Sequence, residues 1–129
     1  MPNRILLIDD DDSHRMLARR ALKELHSEFL EARTPDEAIK VMQSAYPGLT
    51  LIILDMNLNG ISSIALLRAL RTTAPFEVLP VVVLSTSALE KDVSAAYQSG
   101  ASCYLIKSTD PTEFRTTLAK AAQFFLALR

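Results

Sequence analysis

The chain has 129 residues, of which 49% are hydrophobic and 22% charged, and its formal net charge is -1. This length and composition favour a single globular domain over 1–129 with no output domain, and they exclude a disordered chain and a strongly charged nucleic-acid or membrane surface. Cys103 is the only cysteine, which excludes an internal disulfide and a thiolate metal site.

Strand and helix patterns alternate along the chain. Short apolar runs predict strands over 4–8, 28–32, 50–54, 80–84 and 103–106. A helix is predicted after each strand, with starts near Asp12 or Ser13, Thr34, Ser62 or Ser63, Leu89 and Asp110. The first four helices are predicted to end near Leu25, Pro47, Arg71 and Ser99. This alternation predicts five βα units in a parallel sheet with helices on both faces, and it leaves the strand order open.

The helical periodicity also predicts which side chains face the core. In the second helix the predicted buried stripe consists of Ala38, Ile39, Met42 and Ala45. In the last helix the predicted apolar side consists of Phe114, Leu118, Ala121, Phe125 and Leu128. No apolar run is long enough for a transmembrane helix, and the first strand begins too early for a signal peptide, so we expect a cytoplasmic protein.

Polar side chains follow four of the strands directly. The sequence places Asp9-Asp10, Asp55, Ser85 and Lys107 at these strand-to-loop junctions. The carboxyl ends of parallel strands share one edge of the sheet, where open α/β sheets have their sites, so these side chains are expected to meet. Two carboxylates about 5 Å apart repel by roughly 3 kcal/mol at an effective dielectric near 20. The cluster therefore needs a hard divalent cation, a buried lysine or a trapped proton.

This set of groups fits phosphoryl chemistry. Carboxylates hold Mg²⁺, lysine adds a second positive charge, a hydroxyl donates a hydrogen bond, and one aspartate can be the nucleophile. Each residue alone also has an ordinary explanation: a helix-capping acidic turn for 9–12, a turn residue for Asp55, a cap for Ser85 and a surface lysine for Lys107. Their joint placement at four strand ends favours a site.

The histidines and glycines give no evidence for a second functional site. His14 and His26 are interpreted as surface residues of the first helix without partners at metal-ligand spacing. The three glycines, Gly48, Gly60 and Gly100, form no phosphate-cradling loop, so the sequence gives no support for nucleotide binding of the usual kinds.

These residues give the chain a specific resemblance. Over nearly its whole length it resembles the receiver domain of two-component response regulators. The segments that carry the resemblance are Ile5-Leu6-Leu7-Ile8-Asp9-Asp10, Leu54-Asp55-Met56-Asn57-Leu58, Val83-Leu84-Ser85-Thr86-Ser87 and Gly100-Ala101-Ser102-Cys103-Tyr104-Leu105-Ile106-Lys107. The resemblance implies a flavodoxin-like, doubly wound parallel sheet with strand order 2-1-3-4-5.

The resemblance also implies roles for the acidic residues. Asp55 matches the phosphoacceptor, which takes a phosphoryl group from a histidine kinase or a histidine phosphotransfer protein. Mg²⁺ (or Mn²⁺) would be held by the side chains of Asp10 and Asp55 and by the backbone carbonyl of Asn57, and Asp9 would act through a metal-bound water.

Further roles concern phosphoryl binding and switching. Lys107, Ser85 and Thr86 would contact the phosphoryl group, and Ser85 and Tyr104 would form the conformational switch. Readout by a downstream protein would use the face formed by the fourth helix, the fifth strand and the fifth helix. Phe124 and Leu126 lie off the predicted buried side of the last helix, which suggests a homodimer contact.

The sequence departs from the family at several positions near the site. Ser108 follows the lysine where proline after a cis peptide bond is usual, and Asn59 stands where proline is common. Ser62-Ser63 replaces a common Asp-Gly pair. Thr86 is larger than the usual alanine or glycine, and its bulk is expected to narrow access to the phosphoryl group.

Two other functions compete with the switch. Asp9-x-Asp11-x-Ser13, with Ser85 and Lys107, resembles the motifs of haloacid-dehalogenase-type phosphatases, although only Asp110 and Glu113 are available as a later acidic pair. The other alternative is a degenerate receiver that only binds a partner, against which Asp10, Asp55 and Lys107 argue. In the favoured interpretation the protein is not an enzyme beyond self-phosphorylation and self-dephosphorylation.

Overall fold

The computed structural model describes residues 3–128. Its main sheet has five parallel strands, in the order β2-β1-β3-β4-β5. The strands are β1 (Asn3–Ile8), β2 (Ser27–Ala32), β3 (Leu49–Asp55), β4 (Val81–Ser85) and β5 (Cys103–Ile106). The helices are α1 (Asp12–Leu22), α2 (Pro35–Ala45), α3 (Ile64–Arg71), α4 (Glu90–Gln98) and α5 (Pro111–Ala127). The predicted flavodoxin-like fold and its strand order are confirmed.

The alternation of side chains along β1 divides the core into two layers. Leu6 and Ile8 pack on one face of the sheet with residues of α2 and α3. Ile5 and Leu7 pack on the other face with residues of α1 and α5. Every residue of β3 is buried, as expected for a central strand that is covered on both sides. Among residues 3–128, no helix combines the length and the apolar character that crossing a bilayer requires.

The buried faces of two helices differ from those predicted. In α2, Ile39 is 43% exposed, because the buried stripe is narrow and runs along Ala38, Met42 and Ala45. In α5, Ala122 is buried where Ala121 was expected.

Leu128 was also expected to face the core and is 68% exposed. Phe125 and Leu126, in the last turn of α5, still pack against the core, whereas Leu128 follows the last helical residue, Ala127. The helical periodicity that assigned Leu128 to the core therefore does not extend to it.

Three connections differ from the expectation. The first helix, predicted to run to Leu25, ends in a separate 3₁₀ turn, another 3₁₀ turn forms at Phe76–Val78 before β4, and the loop after β3 is structured. A 3₁₀ turn, Lys23–Leu25, follows α1, and the exposed His26 after it has a left-handed backbone with φ 49°. The expected loop after β3 forms a short hairpin in which 57–58 pair with 61–62. At its tip Asn59 and Gly60 both have positive φ, which is the backbone that an Asn-Gly hairpin turn favours.

Arg71, at the end of α3, joins the α3–β4 and α4–β5 connections at the amino edge of the sheet. Its guanidinium donates hydrogen bonds to the carbonyls of Gly100 at 2.8 Å, Leu79 at 2.6 Å and Glu77 at 3.1 Å. Gly100, which ends α4, has φ 114°, and a Cβ built on it would lie 2.3 Å from Cγ of Arg71. Gly100 is therefore required both by its backbone conformation and by the close approach of Arg71.

We expect Gly100→Ala to lower the free energy of unfolding by about 2–4 kcal/mol, because it adds a steric clash to the strain of a positive φ. Gly60→Ala is the matched control, since Gly60 has φ 80° with no atom near the added Cβ, and it should cost only about 1 kcal/mol. Urea unfolding of both variants measures the difference. Equal losses would show that Arg71 moves aside freely.

Candidate functional site

The strand register brings the polar strand ends to one edge of the sheet. Ile8 pairs with Leu54, and Asp55 pairs with Leu84 on the next strand. The backbone N–H of Lys107 donates a 2.7 Å hydrogen bond to the carbonyl of Ser85. Residues that directly follow these paired positions therefore open onto the same carboxyl edge, as parallel strands require.

Lys107 lies at the centre of the site. Its Nζ is 3.1 Å from Oδ2 of Asp55, 3.6 Å from Oδ2 of Asp9 and 3.0 Å from Nδ1 of His14. The Lys107 side chain is only 8% exposed and that of Asp9 only 1% exposed. A buried lysine therefore balances carboxylates from two different strands, which is one of the three solutions that carboxylate repulsion predicted.

His14 belongs to this cluster, so the interpretation that it lacks partners at metal-ligand spacing was wrong, although its side chain is still 36% exposed. One donor atom from each of Asp9, His14 and Asp55 lies within 4.8 Å of the others. The turn between β1 and α1 is so short that the first turn of α1 lies over the strand ends, and His14 is on that turn. A histidine two positions into a helix that starts this soon after an acidic strand end was the available signal. His26 is exposed, as expected, although it follows the helix.

Burial makes the Asp9 carboxylate costly. Its Oδ1 accepts a 2.9 Å hydrogen bond from the N–H of Asp11, but Oδ2 accepts none from the described part of the chain. Burial, followed by the nearby charge of Asp55, raises the pKa of Asp9 from its usual 3.8 to about 6, although the Asp11 N–H and Lys107 act in the opposite direction. Asp9 is therefore a buried acceptor whose positive partner, the Lys107 ammonium at 3.6 Å, lies beyond hydrogen-bond distance.

Asp10 and Asp55 are both held by the hairpin that follows β3. Oδ2 of Asp10 accepts a 3.1 Å hydrogen bond from the N–H of Asn59, and Oδ1 of Asp55 accepts one of the same length from the N–H of Asn57. The Asn57 side chain caps the hairpin by accepting a 2.7 Å hydrogen bond from Gly60. The hairpin thus links the acidic residues of two strands.

Ser85 and Tyr104 are connected through the loop after β4. The buried Ser85 Oγ accepts a 3.1 Å hydrogen bond from the N–H of Ser87, and the Tyr104 hydroxyl donates to the carbonyl of Ser87 at 2.8 Å. The Tyr104 ring packs against the core. Thr86 is exposed and lines the same cleft as Lys107 and Ser108. The Ser108 Oγ accepts a hydrogen bond from the N–H of Asp110.

Asp11, which a phosphatase would use as its second aspartate, has a structural role here. It caps α1 by accepting a 3.0 Å hydrogen bond from the N–H of His14, and that bond lowers the pKa of its carboxyl. It is also exposed to solvent. An exposed carboxyl with a lowered pKa is poorly suited to act as a general acid.

The donor groups fit a hard divalent cation. Three carboxylates lie at this edge of the sheet: Asp9 and Asp55 share the single ammonium of Lys107, whereas Asp10 is bound to the hairpin and is not among the residues whose donor atoms lie close enough to share one ion. That leaves an excess of two negative charges if all three are ionised, and Oδ2 of Asp9 is buried without a hydrogen bond from residues 3–128. Oxygen donors with this charge suit Mg²⁺ or Mn²⁺.

Comparison with known proteins identifies relatives. The model of the response regulator receiver domain family matches residues 5–119. The nitrate/nitrite response regulator protein NarL of Escherichia coli (strain K12) is 35% identical over 127 residues, which cover 94% of this chain and 55% of NarL. The chain thus spans about half of that relative.

Solved structures agree with the sequence comparison. The phosphorylated cyanobacterial phytochrome response regulator RcpA superposes with a TM-score of 0.89 at 26% identity, covering 100% of this chain and 97% of that one. The Mn²⁺-bound form of response regulator Rcp1 gives a TM-score of 0.86 at 30% identity, covering 97% of this chain and 95% of that one.

The raised pKa of Asp9 predicts a pH-dependent stability in metal-free buffer. Because the folded pKa exceeds the usual one, folding penalises the ionised Asp9 above pH 6, and the penalty disappears as the pH falls from about 6 to about 4. Asp9→Asn should therefore be more stable than the wild type by about 1–3 kcal/mol at pH 7 and lose this advantage near pH 4. Urea unfolding with EDTA across this range measures the gap.

Asp36→Asn is the control for this experiment, because it removes one negative charge at an exposed position in the first turn of α2. If the difference in free energy of unfolding between the wild type and Asp9→Asn stayed constant from pH 4 to pH 7, the raised pKa of Asp9 would be contradicted.

Proposed function

This chain belongs to the response regulator receiver domain family, and we propose from that membership that it is the phosphoacceptor switch of a two-component phosphorelay. In this proposal Asp55 takes a phosphoryl group from a phosphohistidine of a histidine kinase or a histidine phosphotransfer protein. The observation that carries the proposal is the Asp55 carboxylate, buried at the end of β3 with the Lys107 ammonium 3.1 Å from its Oδ2.

The transfer needs few groups from the protein. A carboxylate oxygen of Asp55 attacks phosphorus, the N–P bond of the phosphohistidine breaks, and the departing imidazole keeps the electron pair and takes up a proton. The result is a mixed anhydride, the aspartyl phosphate. Lys107 then faces the new phosphoryl oxygens with its positive charge already in place, so little reorganisation is required.

A divalent ion completes the proposed site. Asp10 and Asp55 would hold Mg²⁺ or Mn²⁺ through their side chains and Asn57 through its backbone carbonyl, with Asp9 acting through a water. When bound, such an ion supplies charge that offsets the phosphoryl oxygens during transfer. The excess of carboxylates over ammonium at the site supports this assignment.

Phosphorylation would be read through the loop after β4. Ser85 and Thr86 would contact the phosphoryl group, and Ser85 would exchange its bond to Ser87 for one to a phosphoryl oxygen. Tyr104 would follow, because its hydroxyl is bound to the carbonyl of Ser87. The equilibrium between the two loop arrangements would then be biased by the new charge.

We propose that the signal leaves through the face formed by α4, β5 and α5. This face already exposes apolar side chains, with Leu89 58%, Ile106 51% and Tyr97 48% exposed, and a downstream protein can cover them. A homodimer through α5 stays a prediction. Of the two residues expected to form its contact, Phe124 is 60% exposed, whereas Leu126 is partly buried against the core. The cytoplasmic location and the single-domain organisation also stay predictions.

Removal of the proposed acceptor should abolish phosphoryl uptake. We expect the wild type incubated with acetyl phosphate and Mg²⁺ to gain the mass of a single phosphoryl group, and Asp55→Asn to gain none, because an amide is not a nucleophile here. Intact-mass spectrometry measures the gain. Asp36→Asn is the matched control and should be labelled like the wild type.

Other outcomes would favour the alternatives. Rapid turnover of a phosphate ester that depends on Asp9 would indicate a phosphatase. A wild type that never gains mass, in a protein that still binds a partner, would indicate a degenerate receiver.

The proposed ion site predicts a specific defect in Asp10→Asn. Loss of one carboxylate should raise the Mg²⁺ concentration for half-maximal phosphorylation about tenfold or more, because a neutral amide is a weaker ligand. The rate at saturating Mg²⁺ should recover in part. Titrating the initial rate with Mg²⁺ measures the midpoint, and an unchanged midpoint would remove Asp10 from the ligand set.

A further inference from the structure

The ammonium of Lys107 has three neighbours, and one of them is a histidine. Nδ1 of His14 is at 3.0 Å, Oδ2 of Asp55 at 3.1 Å and Oδ2 of Asp9 at 3.6 Å. The histidine comes from α1, whereas the two carboxylates follow β1 and end β3. Lys107, which follows β5, is therefore approached from three other parts of the chain.

The contact fixes the state of the imidazole. A lysine ammonium has three protons to donate and no lone pair, so Nδ1 of His14 has to be the acceptor. In this arrangement Nδ1 carries no proton, and Oδ2 of Asp9, which lies 3.7 Å from the same Nδ1, is beyond hydrogen-bond distance. A charged imidazole would place two cations 3.0 Å apart with no lone pair between them.

The same geometry explains what the trio of donor atoms binds. Asp9, His14 and Asp55, which together could hold a metal ion, are the same three residues that surround Nζ of Lys107. This cradle, formed by the three residues, is filled by the Lys107 ammonium rather than by a metal ion. A divalent cation held by Asp10 and Asp55 would therefore bind beside the cradle.

We propose that His14 is a positioning residue that holds the Lys107 ammonium against the phosphoacceptor Asp55. This inference rests on the proposed phosphoacceptor function and deepens it. Asp9 is the more distant carboxylate, so without His14 the ammonium would keep a single close acceptor in a pocket where its side chain is 8% exposed. A lysine restrained from α1 presents its charge where phosphoryl oxygens arrive, without first reorganising.

The resting contact can be tested without any phosphoryl donor. Nitrogen NMR of the imidazole rings should show His14 with its proton on Nε2 and an Nδ1 signal typical of a hydrogen-bond acceptor. Lys107→Met should shift this Nδ1 signal and leave His26 unchanged, because His26 is exposed after the 3₁₀ turn. A His14 spectrum that is identical in the wild type and in Lys107→Met would overturn the proposal.

The functional test uses three substitutions of His14, which differ in where the new side chain places a hydrogen-bond acceptor for the Lys107 ammonium. His14→Leu removes it, and the rate of phosphorylation by acetyl phosphate at saturating Mg²⁺ should fall about tenfold, as for loss of a hydrogen bond to a charged donor. His14→Asn places an amide oxygen near the former Nδ1 and should restore most of the rate. His14→Gln places it further out and should not.

The Mg²⁺ midpoint should be the same in all of these variants, because His14 holds the ammonium and not the ion. His26→Asn is the matched histidine control and should react like the wild type. A rate in His14→Leu equal to or above that of the wild type, or failure of His14→Asn to restore it, would overturn the proposal. If the wild type itself takes up no phosphoryl group, the proposed function fails, while the NMR comparison still decides whether His14 binds Lys107.

Discussion

The buried ion pair between Lys107 and the carboxylates of Asp55 and Asp9 is the constraint on which the site depends. The carboxyl ends of three strands supply its members, so it forms only when the sheet has its order and register. Removal of Lys107 would leave two carboxylates uncompensated in a pocket where Asp9 is fully buried and Asp55 nearly so. The same low exposure strengthens each electrostatic interaction within the pocket, which is what a group that must meet phosphoryl oxygens requires.

Contacts from α1 and from the hairpin hold the segments that carry these charges in place. The buried Arg15, on α1, donates a 2.8 Å hydrogen bond to the carbonyl of Asp9 and lies 3.1 Å from the carboxylate of Glu31 on β2. It also pairs with Asp12 in the first turn of its own helix. The turn that carries Asp9 and Asp10 is therefore fastened to an outer strand. On the other side, the hairpin at 57–62 binds Asp10 and Asp55 through its N–H groups.

The fold and much of the site could be predicted from the sequence because both follow from short-range patterns. Apolar runs alternating with capped helices require a parallel sheet, and polar residues directly after those runs have to open at one edge. The resemblance supplied the strand order. Such patterns give the rotation of a helix about its axis only coarsely and give no distance between a helix and a strand end, so the approach of His14 to Lys107 was missed, and Ile39 was assigned to the core. The exposure of Leu128 follows from the end of α5 at Ala127, which the periodicity of the helix does not report.

The backbone of the hairpin restricts how position 59 can vary. Asn59 has φ 52°, and its N–H is the donor to the carboxylate of Asp10. Glycine, asparagine and aspartate adopt this left-handed conformation readily and retain the donor, whereas β-branched residues adopt it only with strain. Proline is excluded twice, since its ring fixes φ near -65° and its nitrogen carries no hydrogen. Among close homologues that keep this hairpin, glycine, asparagine or aspartate should therefore predominate at position 59. A proline there should indicate a loop with a different backbone path, in which the carboxylate equivalent to Asp10 accepts its hydrogen bond from another group.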